Sequence, residues 1–172
     1  YNINRSQRLL EIGCGEGRDS RTVLERGFQL TATDISGEAI AYCKQKMPEF
    51  ANQFRVLDCL SGELDEKFDF IFAVAVLHML VPDGDRDGFY GFLRSHLSNG
   101  GIALICTMGD GEIERQSDIR TAFTLQERNQ ESGKMLVAGT SCRMVSWNTF
   151  EKELARNGFA VIEKGMTSSL PD

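Results

Sequence analysis

The sequence predicts an α/β fold, a doubly wound and mostly parallel sheet with helices on both faces. Three observations predict it. Five short β-like runs alternate with helical stretches, the rhythm of successive βαβ units. The fourth run, residues 68–74, is almost continuously apolar, as a strand covered on both faces must be. Glycines and acids follow the first three runs, at the strand ends where open parallel sheets bind ligands.

The first run, residues 8–12, ends in Gly13-Cys14-Gly15-Glu16-Gly17, and a helix over about residues 18–26 is stopped by Gly27. Residues 28–33 form the second run and end at Asp34. Ser36 then caps a helix that buries Ile40, Cys43 and Met47 until Pro48. The third run, residues 53–57, stops at Asp58. After the fourth, Phe89, Phe92, Leu93, His96 and Leu97 fall at i, i+3, i+4, i+7 and i+8, the stripe of a helix lying on a sheet. Asn99-Gly100-Gly101 turns the chain into a fifth strand over 102–107. Beyond Met108 the rhythm breaks: Ile119, Ala122 and Phe123 suggest a helix, and residues 135–145 read as partly extended. It returns with Ser146 as a cap, Trp147, Phe150 and Leu154 on one helical face, a stop at Asn157-Gly158 and a last strand over 159–163. The 172 residues read as a single domain, with 108–145 a candidate substrate-recognition insertion.

Lys+Arg 19 against Asp+Glu 25 give a net charge of −6, a field that disfavours nucleic acid as a partner. The longest uncharged apolar stretch, residues 71–81, has eleven residues, against about 20 for a bilayer span. Five cysteines without a CxxC pair argue against a disulfide framework and a zinc site, so no metal is expected, and they fit a reducing, cytoplasmic setting. The chain starts at Tyr1 and opens almost directly on a strand, so an upstream segment is expected to be missing.

The three strand-end groups suit the parts of one nucleoside-like molecule. The glycines of residues 13–17 let a ligand lie against bare backbone at the mouth of a helix. Asp34 can accept hydrogen bonds from both hydroxyls of a ribose. Asp58 can accept one from an adenine amine, with Cys59 and Leu60 as backbone and apolar wall. The spacing disfavours NAD, because a GxGxxG count from Gly13 ends on the bulky Arg18; a P-loop fails for want of GK[ST]. Glu11 and Glu16 around the loop suit a cationic ligand carrying an ammonium and a sulfonium.

Leu9-Leu10-Glu11-Ile12-Gly13-Cys14-Gly15-Glu16-Gly17 resembles the first motif of class I S-adenosylmethionine-dependent methyltransferases. Thr33-Asp34-Ile35-Ser36 resembles the family's ribose-binding strand end and Val56-Leu57-Asp58-Cys59-Leu60 its adenine-contacting turn. Phe68-Asp69-Phe70-Ile71 with Val76-Leu77-His78-Met79-Leu80 is similar to the fourth strand and following turn of the small-molecule branch, and Leu97-Ser98-Asn99-Gly100-Gly101 to the entry into the fifth strand. Gly17-Arg18-Asp19-Ser20 is similar to tellurite-resistance-like and thiopurine-type members. The resemblance covers residues 9–106 and resumes at 146.

It implies a Rossmann-like fold and S-adenosyl-L-methionine as cofactor. Glu11, Gly13, Cys14, Gly15, Gly17 and Arg18 would frame the methionyl part. Asp34 with Ile35 would hold the ribose, and Asp58, Cys59 and Leu60 the adenine, with Ala73 beside them. His78 is the candidate base, because it follows the fourth strand and titrates near neutrality. The implied acceptor is a small molecule, reached by in-line displacement, with Thr107, Asp110, Glu112, Arg115, Arg120, Arg128 and Arg143 offering both charges for its recognition. A tRNA or protein methyltransferase, and a catalytically silent S-adenosylmethionine-binding regulatory subunit, are the alternatives. The family ends in a two-strand hairpin and opens with a helix over the cofactor. Tyr1 to Gln7 is too short for that helix, and only about a dozen residues follow Gly158, so either the last strand is missing from this chain or the C-terminus is built differently.

Overall fold

The computed structural model describes residues 3–122, 125–130, 133–138 and 141–167. Five strands, β1 (Arg8–Ile12), β2 (Gln29–Asp34), β3 (Phe54–Val56), β4 (Phe68–Val74) and β5 (Leu97–Cys106), form one parallel sheet in the order β3-β2-β1-β4-β5. In the central strand, Ile12 sits opposite Thr33 of β2 and Ala73 of β4.

Because successive side chains of a strand point to opposite faces, β1 feeds two cores. Leu9 joins Leu30, Ala32 and Phe72 under α1 (Arg18–Glu25) and α2 (Gly37–Lys46), which contribute Leu24, Ile40 and Cys43. Leu10 and Ile12 join Ile71 and Ala73 under α3 (Asp83–His96) and α4 (Trp147–Arg156), which contribute Phe89, Phe92, Leu93 and Phe150. Each such large apolar side chain removed from water contributes about 1.5–3 kcal/mol. Two helices on each face make the sheet doubly wound, as the sequence predicts. Glu11, two residues from Leu9, points to the α1 face.

The caps follow the residues read from the sequence. Ser36 Oγ accepts from the Ala39 amide at 3.2 Å and Ser146 Oγ from the Thr149 amide at 3.3 Å. Pro48 ends α2 and opens a single 3-10 stretch, Pro48–Gln53. The aromatic stripe of α3 is core, and His96 is fully engaged there. Its Nε2 accepts from the Leu64 amide at 3.0 Å, Nδ1 meets the Phe92 carbonyl at 2.8 Å, and the ring stacks on Phe92.

Four short strands lie beyond the sheet: β6 (Arg115–Gln116), β7 (Leu125–Gln130), β8 (Gly133–Ala138) and β9 (Arg143–Met144). β6 pairs antiparallel with β9, and β7 with β8. The extended reading of residues 135–145 is therefore met in part. The helix suggested by Ile119 and Ala122 does not form; Phe123 lies outside the described residues. Asp118 explains this. Its carboxylate accepts from the amide and the guanidinium of Arg120, and its carbonyl accepts from the Thr121 amide, closing one side-chain-stabilised turn that competes with a helix.

Two further expectations change. Asn99-Gly100-Gly101 lies inside β5 as a bulge: Phe68 is opposite Leu97 but Phe70 is opposite Ile102, and Gly100 carries φ +76. Residues 159–163 form no ladder. The Phe159 amide donates to the Leu154 carbonyl and the Gly158 amide to the Ala155 carbonyl, with Gly158 at φ +81. That is a Schellman end for α4, and it turns Phe159 onto Tyr90. Ile162, 79% exposed, is left with no apolar cover.

Candidate cofactor and transfer site

Parallel strands deliver their carboxyl ends to one edge, so the loops after Ile12, Asp34, Val56 and Val74 meet there. The glycine loop is tied to β2: the amides of Gly13 and Cys14 both donate to the Thr33 carbonyl, at 2.8 and 2.9 Å. Gly13, Gly15 and Gly17 have φ of +76, +52 and +77, values that L side chains adopt only with strain. Their surroundings differ. A Cβ on Gly13 would stand 2.3 Å from Val76 Cγ2, and one on Gly17 2.7 Å from Met47 Cε, whereas a Cβ on Gly15 would meet nothing within 4 Å. Gly15 therefore faces open space.

Asp34 ends β2 beside it. Its Oδ2 accepts from the Gly15 amide and its Oδ1 from the Ser36 amide, both at 2.8 Å. Each oxygen has used one of its lone pairs, so the carboxylate can still accept from two more donors. Ile35, next along, leaves its side chain 68% exposed. Asp58 is engaged locally. Its Oδ1 accepts from the Leu60 amide at 2.9 Å and its Oδ2 from the Ser61 hydroxyl at 2.7 Å, and the Leu60 amide above all holds this carboxyl below its usual range. Leu60 is exposed, while burial raises the half-buried Cys59 thiol to about 11.

Glu11 lies beneath the loop, 4% exposed, and accepts from the Ser20 hydroxyl of α1 at 2.5 Å. Burial pushes its pKa up to about 7. Cys14 is buried, and burial raises its thiol strongly; the five cysteines are all free thiols. Arg18 projects into solvent beside Asp19. Ala73 is buried at the end of β4, opposite Ile12 and Ile105.

The turn after β4 closes the site from the other side. Ala75 adopts φ +60 and its amide donates to the Cys106 carbonyl; no sequence signal marks an alanine for that conformation, whose cost is roughly 1–2 kcal/mol. Val76 then rests on Gly13. His78 follows on a 3-10 turn, Leu77–Met79, and is buried. Its Nδ1 is sealed from solvent and has no partner among the described residues. Burial first, and the nearby Arg86 second, hold its pKa below the ordinary imidazole value.

The strand ends thus bring together Gly13, Gly15, Asp34, Ile35 and the β4 turn. A family model described as "Methyltransferase domain" matches residues 10–103 of this chain. The chain belongs to that family. It is 28% identical over 103 residues to a malonyl-[acyl-carrier protein] O-methyltransferase of Acetivibrio thermocellus, covering 59% of this chain and 35% of that protein. It is 26% identical over 118 residues to an uncharacterized methyltransferase of Staphylococcus carnosus, covering 66% and 53%. The chain therefore spans about a third to a half of the length of these relatives. Among solved structures, the glycopeptide N-methyltransferase MtfA complexed with S-adenosyl-L-methionine superposes with a TM-score of 0.70 at 22% identity, over 92% of this chain and 73% of that one. A methyltransferase from Clostridium acetobutylicum gives 0.68 at 13% identity, over 91% and 74%. These likenesses fix the fold as that of class I S-adenosylmethionine-dependent methyltransferases. Among the described residues no group of three or more His, Cys, Asp or Glu side chains could hold a metal ion, and no helix is long and apolar enough to cross a membrane.

Proposed function

We propose that this chain binds S-adenosylmethionine across the ends of β1, β2 and β3 and directs its methyl group to a small-molecule acceptor. The observation that carries this reading is the pairing of Asp34, with acceptor capacity left on both oxygens, and Gly15, beside which nothing occupies the space a side chain would fill. The residues fit the molecule. Two ribose hydroxyls match two free acceptor positions, Ile35 and Leu60 offer exposed apolar surface for an adenine, and the carboxylates of Glu16, Asp19 and Asp34 around the loop suit a cation. When bound, the cofactor supplies a methyl group already activated by its sulfonium.

The chain has three tasks left: to orient the acceptor in line, to exclude water, and to take a proton where the acceptor must lose one. Orientation alone can lower a barrier by ~7–11 kcal/mol. His78 suits the proton task, because burial and Arg86 keep its imidazole neutral at physiological pH, the form that accepts a proton. Recognition of the acceptor falls to the 108–145 segment. A cavity of about 500 Å³ opens between Val81–Asp83 and Gln116–Ile119, with Arg143 on its wall. Residues just past the His78 turn and residues of that segment thus line one space.

Incubation with methyl-labelled S-adenosylmethionine and a pooled small-molecule extract tests the reading. Label is expected in a low-molecular-weight product, and its absence from every fraction overturns the proposal.

A further inference from the structure

The His78 turn has little of its own to hold it. It is three residues long, has no side-chain cap, follows the left-handed Ala75, and among the described residues keeps two backbone bonds, Met79 amide to Val76 carbonyl and Leu80 amide to Leu77 carbonyl. The imidazole Nδ1 adds none among the described residues. The buried ring is held by packing with no hydrogen bond from Nδ1 to aim it, so the position of the turn's backbone bears directly on where it stands.

That backbone is gripped by side chains from elsewhere. Arg86 of α3, 1% exposed, donates from Nη1 to the Leu77 carbonyl at 3.0 Å and to the Leu80 carbonyl at 3.3 Å, one on each side of His78. The Ser141 hydroxyl donates to the Met79 carbonyl at 2.7 Å. The rest of the Arg86 fork goes to Glu153 of α4: Nε at 3.1 and 3.0 Å from its two oxygens and Nη2 at 2.6 Å. Tyr90 donates to the same carboxylate at 3.1 Å, and Arg143 of β9, itself paired with Asp83, stands 3.5 Å from it. A buried ion pair contributes little net stability over apolar residues of the same shape. What it supplies beyond packing is a planar, five-donor group of fixed geometry under the turn.

We propose that Arg86 is a positioning residue for methyl transfer: by clamping the carbonyls of Leu77 and Leu80, and being clamped in turn by Glu153, it fixes where the His78 ring stands. This rests on the reading of His78 as the base. The charged and titratable groups gathered here are Arg86 and Tyr90 from α3, Glu153 from α4, Arg143 from β9 and Asp83 at the start of α3. Of these, Arg86 acts on the ring directly and favours its neutral form.

The chain has two histidines, so the imidazole resonances in an NMR titration belong to His78 and His96 alone. The wild type is compared with Arg86→Lys, which keeps the charge without the fork, and with Arg86→Met/Glu153→Met, which removes both partners and leaves no lone buried charge. In the double variant the His78 titration should move up toward the ordinary imidazole value and its resonances should shift, while His96 stays put. In Arg86→Lys the titration should stay low, and label transfer into the pooled extract should fall tenfold or more with the KM for S-adenosylmethionine unchanged. Unaltered His78 resonances in a folded double variant, or full transfer by Arg86→Lys, overturn the inference. Should the double variant not fold, the Arg86→Lys transfer result decides alone. His78→Gln separates the two claims: if it retains full transfer, the base reading falls and takes this inference with it; if it abolishes transfer while the Arg86 variants behave as wild type, only the positioning role falls.

Discussion

Glu11 is an acid buried on the α1 face of β1, where the Ser20 hydroxyl donates to it. Its folded pKa, pushed up to about 7 by burial, lies above the ordinary glutamate value of 4.5. Between those pH values the native state holds a proton that the unfolded chain has lost, so stability falls as pH rises through this window, by about 3 kcal/mol in all. Glu11→Gln keeps an acceptor for Ser20 and removes the titration. Urea unfolding of this variant at pH 5, 6, 7 and 8 should show a flatter profile than the wild type and a stability gain that grows with pH. A variant profile that falls as steeply as the wild type contradicts the assignment. In the sequence Glu11 reads as part of a charged frame for a cation by its position before the loop alone; that it sits underneath follows from strand alternation, which puts it on the Leu9 side.

At the scale of elements, the glycine loop and the β4 turn act as one piece, because Val76 occupies the space a Gly13 side chain would need. Gly13→Ala incurs a left-handed backbone cost of roughly 1–2 kcal/mol and a steric cost besides. Thermal unfolding should show a clear loss for Gly13→Ala, partly restored by adding Val76→Ala, which relieves the clash but not the backbone strain. No recovery in the double variant would show that the two segments are not coupled. The elements read best from the sequence were those with their own punctuation: Ser36 and Ser146 as caps, Pro48 and Gly158 as stops. Residues 159–163 misled because an apolar, β-branched run is only half of a strand. The other half is a partner edge, and Phe159 is instead consumed by the end of α4. The suggested helix near Ile119 failed for the complementary reason, an aspartate whose local bonds outbid a weak periodicity.

For the molecule as a whole, the parallel, doubly wound sheet was legible because candidate binding residues follow strands in a fixed rhythm that brings them to one edge, whereas the strand order β3-β2-β1-β4-β5 was not. Asp34 and the glycines were legible for the same reason. Ala75, Arg86 and Glu153 were not: an alanine carries no mark of positive φ, and the partners Arg86 and Glu153 are 67 residues apart, joined only once α3 and α4 share a face. The cavity proposed for the acceptor likewise joins segments that the sequence separates by more than thirty residues. Calorimetric titration with S-adenosylhomocysteine tests most directly whether a nucleoside lies across the strand ends in the grip of Asp34. The account predicts saturable one-to-one binding by the wild type, weakened about 30-fold or more in Asp34→Asn, the loss of a charge-assisted contact of ~2–3 kcal/mol. No binding heat from the folded chain, or equal affinity in both proteins, would contradict it.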